Sequence, residues 1–149
     1  MIVSFCGHSN FFEREEFKNE VLNFLEKRVG HQVVEFYLGG YGKFDNFAYK
    51  CCKEYENKHK NASIIYVTPY IHIDYQKKYL DYYKTIYDDI LYPEIESKPL
   101  KFAITYRNKF MMEKADGIVA YVDHNFGGEN LYKIAKNKGK EIFNLSKLI

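Results

Sequence analysis

Short apolar runs, each too brief for a helix, alternate along this chain with longer segments whose apolar residues recur at helical spacing. That alternation constrains the fold more than any other feature. Residues 2–6 form an apolar run ended by Gly7, as a buried first strand should be, and residues 33–38 end similarly at Gly39-Gly40-Tyr41-Gly42. Residues 62–67 are β-branched and uncharged, and Thr68-Pro69 closes them. Residues 117–122 and 141–145 read as two further strands. Between these runs, Phe17, Val21, Phe24, Leu25 and Arg28 share one face of a helix over 13–28, stopped by Gly30. Phe44, Phe47, Ala48, Cys51, Cys52 and Tyr55 do the same over 44–59. Tyr75, Tyr79, Tyr82 or Tyr83, and Ile86 mark a helix over 74–87. Residues 100–114 and 130–137 are helical in pattern, whereas 90–99 reads as a short strand with an irregular connection.

The strands are too apolar to have a wet face, and a helix follows almost every one. The expectation is an α/β fold: a Rossmann-like, open, mainly parallel sheet with helices on both faces. The 149 residues suit one domain over 1–149, and no repeat or low-complexity linker divides them.

Charge and composition narrow the partners. A net charge of +2, with lysines spread along the chain, is far from the basic footprint of a protein that neutralises phosphate backbones, so nucleic acid is not an expected partner. Cys6, Cys51 and Cys52 make neither a disulfide framework nor a zinc pair, and His8, His31, His59, His72 and His124 lack ligand spacing. No metal and no resident cofactor are expected. Without a long apolar run or a leader pattern, the expectation is a reduced, cytoplasmic protein away from the membrane. The 15 Tyr and 12 Phe, with no Trp, have two readings. Tyrosine suits stacking at pockets and interfaces. The abundance of Lys, Asn and Ile equally suggests a compositional bias.

In an open parallel sheet, ligands bind beyond the carboxyl ends of the strands. The residues there are Cys6-Gly7-His8-Ser9, Gly39-Gly40-Tyr41-Gly42-Lys43-Phe44-Asp45, Thr68-Pro69-Tyr70 and Phe126-Gly127-Gly128-Glu129. Glycines let backbone N–H groups approach an anion, and a following helix adds its partial positive charge. Singly, such glycines also serve tight turns; together on one edge they point to a binding site.

The same segments, with Arg107-Asn108-Lys109-Phe110-Met111-Met112 and Ala115-Asp116-Gly117-Ile118-Val119-Ala120, resemble the SLOG superfamily. The resemblance is strongest to its small YpsA-like single-domain branch. More distant members are the cytokinin-activating LOG phosphoribohydrolases and the DNA-processing proteins. The likeness runs in order over nearly the whole chain, weakest over 70–100, and implies a Rossmann-like fold with a nucleotide-type ligand. By the LOG pattern, Arg107, Asn108 and Met111 match an Arg-Lys-x-x-Met helix. Gly127 and Gly128 match a phosphate loop. Glu129 then stands where that pattern has Thr, Tyr132 where it has the catalytic Glu, and Ser9 where closer relatives carry Arg. These departures reduce affinity for anions and remove part of the hydrolytic equipment.

The candidate ligand-binding residues are therefore Gly7, His8, Ser9, Gly39, Gly40, Gly42, Phe44, Asp45, Pro69, Arg107, Asn108, Met111, Gly127, Gly128 and Glu129. Arg107 clamps a phosphate or ribose, or makes a surface ion pair. Asp45 and Glu129 are the candidate catalytic acids, and Asp45 equally suits a helix start. Tyr41, Phe44 and Tyr70 stack on a base or pack in the core. Cys6 reads as a small buried residue. The expected function is binding of a nucleotide-derived small molecule, as a sensor or sequestering protein. The alternatives are hydrolysis of a nucleotide's N-glycosidic bond and self-association through the tyrosine-rich helix into a homo-oligomer.

Overall fold

Val3, Phe5, Phe36, Leu38, Ile64 and Val119 point to one side of a sheet, while Tyr37, Ile65, Val67, Ile118 and Ala120 point to the other. Both sets are buried, so each face needs a cover. In the computed structural model, which describes residues 1–123 and 129–148, helices supply it on both sides. The chain runs β1 (Ile2–Gly7), α1 (Glu15–Val29), β2 (Val34–Leu38), α2 (Gly42–Lys58) and β3 (Ala62–Val67). It continues through α3 (Ile73–Tyr75), a π-helical turn (Gln76–Leu80) and α4 (Asp81–Ile86) to β4 (Asp89–Leu91). A 3-10 turn (Leu100–Phe102) leads into α5 (Ala103–Lys114) and β5 (Gly117–Tyr121), followed by α6 (Glu129–Asn137), β6 (Glu141–Asn144) and a last 3-10 turn (Leu145–Leu148).

The six strands form one sheet in the order β4-β3-β2-β1-β5-β6, and every pairing is parallel. This is the open Rossmann-like α/β architecture that the sequence leads one to expect. Phe17, Val21 and Leu25 of α1 and Phe44, Phe47 and Cys51 of α2 cover the first face. Met111 and Met112 of α5, with Ala135 of α6, cover the second. Each such fully buried large side chain contributes about 1.5–3 kcal/mol of transfer free energy.

From β1 the chain steps outward through β2, β3 and β4, then returns to place β5 on the other side of β1. The strand order therefore reverses between β1 and β5. Across that reversal Asp116 fastens the amino ends: its carboxylate accepts the Ile2 N–H at 2.8 Å, and its own N–H reaches the Ile2 carbonyl at 2.8 Å.

The helix expected over 74–87 departs from simple α geometry. Residues four apart on an α-helix drift by about 40° per step. The π turn winds the chain more slowly and takes part of that drift back. Tyr75, Tyr79, Tyr83 and Tyr87 consequently stay in one column, with successive ring centroids 4.9, 6.3 and 5.8 Å apart. Tyr83, not Tyr82, belongs to the column, and Tyr82 is left 63% exposed. Among the described residues, no helix is long and apolar enough to cross a membrane, and no group of acids, histidines and cysteines is placed to hold a metal ion.

Candidate functional site

The loops that leave the carboxyl ends of β1, β2 and β3 pack on one another at glycines. A Cβ at Gly7 would stand 2.4 Å from Cγ of the Phe44 ring, and one at Gly42 would stand 2.7 Å from Cα of Ser9. Gly40 has φ +67°, where L side chains are strained, and its Cβ would lie 2.5 Å from the Tyr66 ring. The Lys43 N–H, in the first turn of α2, donates to the Ser9 carbonyl at 3.0 Å. These glycines let protein approach protein, so that the β1 and β2 loops and the start of α2 form one surface.

Arg107 comes to this edge from α5, on the opposite face. Its Nη1 donates to the carbonyls of Gly39 at 3.0 Å and Val67 at 2.8 Å, and its Nε donates to the Asn108 side chain at 2.7 Å. The guanidinium is only 3% exposed, and it fastens the carboxyl ends of β2 and β3 together. This differs from both sequence readings: it is neither a surface ion pair nor a freely presented ligand clamp. Among the described residues, Nη2 has no hydrogen-bond partner, and it lies 3.2 Å from where a Gly39 Cβ would be.

Asp45 sits four residues into the α2 side of the same cluster. Its carboxylate accepts the Tyr41 N–H at 2.8 Å, closing the start of the helix from below. Desolvation pushes its pKa up to about 6, against the opposing pull of that N–H and of the Arg107 charge. Some of its surface remains open to solvent, but the carboxyl group lies deep among the loops, so burial prevails. Beside it, burial and then the Asp45 charge push the Cys6 thiol up to about 12, which leaves it a poor nucleophile at neutral pH.

At the reversal of strand order, His8 is 7% exposed and joins the ends of β1 and β5. Its Nε2 accepts the Asp123 N–H at 2.8 Å, which requires that nitrogen to be unprotonated. The ring meets Tyr121 edge-on at 6.0 Å. Ser9 is exposed beside it. On the β3 loop, Thr68 donates through Oγ1 to the Tyr70 carbonyl at 2.7 Å and accepts the Tyr70 N–H at 3.3 Å, while Pro69 is buried.

The structure thus gathers Gly7, His8, Ser9, Gly39, Gly40, Gly42, Asp45, Pro69, Arg107 and Asn108 along one edge of the sheet. Two candidates lie elsewhere in function. Phe44 is 1% exposed and packs edge-on against Phe11 at 5.2 Å, in the core beneath Gly7. Met111 is 2% exposed within the second core, and only its carbonyl is engaged, accepting from Ser4 Oγ at 2.7 Å. Gly127 and Gly128 lie outside the described residues. Glu129 opens α6. Tyr41 is 69% exposed at the rim, and Tyr70 meets Tyr75 edge-on at 5.1 Å.

Sequence reasoning missed the tyrosines that adjoin the glycine loops. Tyr66, on β3, lies under Gly40, shares a hydrogen bond with the Tyr75 hydroxyl at 2.7 Å and meets the Tyr83 ring at 4.7 Å. The available signal was the four-residue spacing of tyrosines over 75–87, but it read only as a helix and as a face for self-association, and Tyr66 lies outside it on β3. A groove of about 590 Å³ opens between α2 and α4, with Gly40 in its wall. No protein-family model matches this chain, and no curated protein matches it in sequence.

Proposed function

We propose that the chain binds a nucleotide-derived small molecule at the carboxyl edge of its sheet. The supporting observation is that a half-buried acid, Asp45, and a buried guanidinium, Arg107, are held at the same glycine-packed edge, beside the reversal of strand order. An acid at about pH 6 beside backbone N–H groups suits the hydroxyls of a ribose, to which a carboxylate accepts and a carboxylic acid also donates. The likeness to the SLOG superfamily supports the same reading, with binding rather than turnover because Tyr132 stands where LOG enzymes have their catalytic Glu.

One observation favours hydrolysis of an N-glycosidic bond as a second reading. Titration near 6 is the range in which a carboxyl can both take and give a proton at working pH.

Both readings are tested by identifying small molecules released from heat-denatured wild type and Asp45→Asn by mass spectrometry. Asn retains an acceptor for the Tyr41 N–H, so the variant keeps the fold and isolates the carboxyl group. A nucleotide released from the wild type and absent from the variant supports binding. If nothing is released and no nucleotide shifts the melting temperature, the binding reading fails. Free base appearing when mononucleotides or NAD are incubated with the protein selects the hydrolase.

A further inference from the structure

We infer that the groove between α2 and α4 receives the base of that nucleotide, which makes this inference rest on the binding reading. The groove shares Gly40 with the glycine-loop edge, so a ligand anchored there is within reach of it. Its volume of about 590 Å³ falls within the usual small-molecule range of about 300–1,000 Å³.

Its walls combine what a flat heterocycle needs. Tyr82 and Tyr83 line it from α4, and Tyr49 and Tyr87 line it with their rings edge-on at 5.3 Å. Two of these side chains are already committed: Tyr49 donates to the Ile86 carbonyl at 2.9 Å, and Tyr83 lies against Tyr66 at 4.7 Å. Tyr82 is different. It is 63% exposed, departs from the tyrosine column and lines the groove, touching Tyr83 only loosely at 6.1 Å between ring centroids. Stacking on such a ring is tolerant of base identity, because every base has a π-face.

Charge completes the match. Lys50 is paired with Glu13 at 2.9 Å, so those two wall residues cancel. Lys43, in the first turn of α2, pairs with no carboxylate among the described residues, and its ammonium lies 5.5 Å from the centre of the Phe12 ring. A cation with no carboxylate partner among the described residues, where the groove meets the glycine loops, fits an anionic group attached to the heterocycle. Asn46, also in the wall, carries an amide that makes no hydrogen bond among the described residues and can read a base edge. The ligand class is therefore a nucleoside phosphate, its base between α2 and α4 and its phosphate at Lys43.

The test is calorimetric titration of AMP, GMP, CMP and ribose 5-phosphate into the wild type, Tyr82→Ala, Tyr82→Phe and Lys43→Ala. Both substituted side chains are exposed, so the fold survives. Tyr82→Ala is expected to weaken the best-bound mononucleotide about tenfold, Tyr82→Phe to restore it, and ribose 5-phosphate to be unaffected by either. Lys43→Ala should weaken mononucleotide and ribose 5-phosphate alike. Unchanged mononucleotide affinity in Tyr82→Ala, or equal loss of ribose 5-phosphate, overturns the groove as the base site while leaving nucleotide binding intact. A wild type that binds none of the four probes overturns both.

Discussion

Gly40 shows how a single residue can be fixed by its neighbours. At φ +67°, with the Tyr66 ring 2.5 Å from any added Cβ, it faces strain and collision together. Gly139 has φ +71° but open space around it, so only the strain applies there. Gly139→Ala is expected to lose about 1–2 kcal/mol and Gly40→Ala distinctly more, measured by urea denaturation. Asp45 makes a prediction of the opposite sign. Its carboxyl titrates at about 6 in the folded chain and at its ordinary, lower value when unfolded. Between those two values the folded state holds more protons, so stability falls as pH rises from 4 through 6. Asp45→Asn should make that slope shallower, leaving the part that the raised Glu56 carboxyl contributes, and keep the protein at least as stable as the wild type at pH 7.5. Denaturation midpoints for both proteins across that range decide it; a wild type that gains stability over the window contradicts the assignment.

Among the elements, β4 is the weakest. It has three residues, pairs only with β3, and holds Asp89 on an exposed sheet edge. Its amides should exchange with deuterium faster than those of β1, β2 and β5 in the same native-state experiment. The same weakness made it hard to read in the sequence. β3 was legible because β-branched residues without charge leave little alternative, whereas Asp89-Ile90-Leu91 carries too short a pattern to separate strand from loop. The glycine loops were legible as punctuation after strands. What they pack against was not, since Gly42 meets Ser9, and Arg107 reaches Gly39 and Val67, across distant stretches of chain. For Phe44 the sequence leaves stacking and core packing both open, because position beside a glycine loop does not say whether a ring turns outward or inward; the structure buries it. The π turn had no signature in composition, yet it determines that Tyr83 enters the column and Tyr82 does not.

At the scale of the whole molecule, the cysteines report on global opening. Cys51 and Cys52 are fully buried in the first core, and burial raises Cys51 to about 12 and Cys52 well above its ordinary value. At pH 8 a disulfide reagent should leave both unmodified in the native protein, with labelling only through the small unfolded population. Rapid modification of either would show that the core opens locally. Under the proposed function, a ligand should slow that labelling by mass action, with about 2.7 kcal/mol of added stability at a concentration one hundredfold above Kd. The contact between Gly42 and Ser9 has one more consequence. Two loops joined backbone to backbone cannot yield separately, so a push on either travels as the displacement of a single stiff part. Through Lys43 that part includes the head of α2, and through α2 it reaches the groove wall. A displacement of the β1 loop and the position of the neighbouring groove wall are therefore mechanically linked.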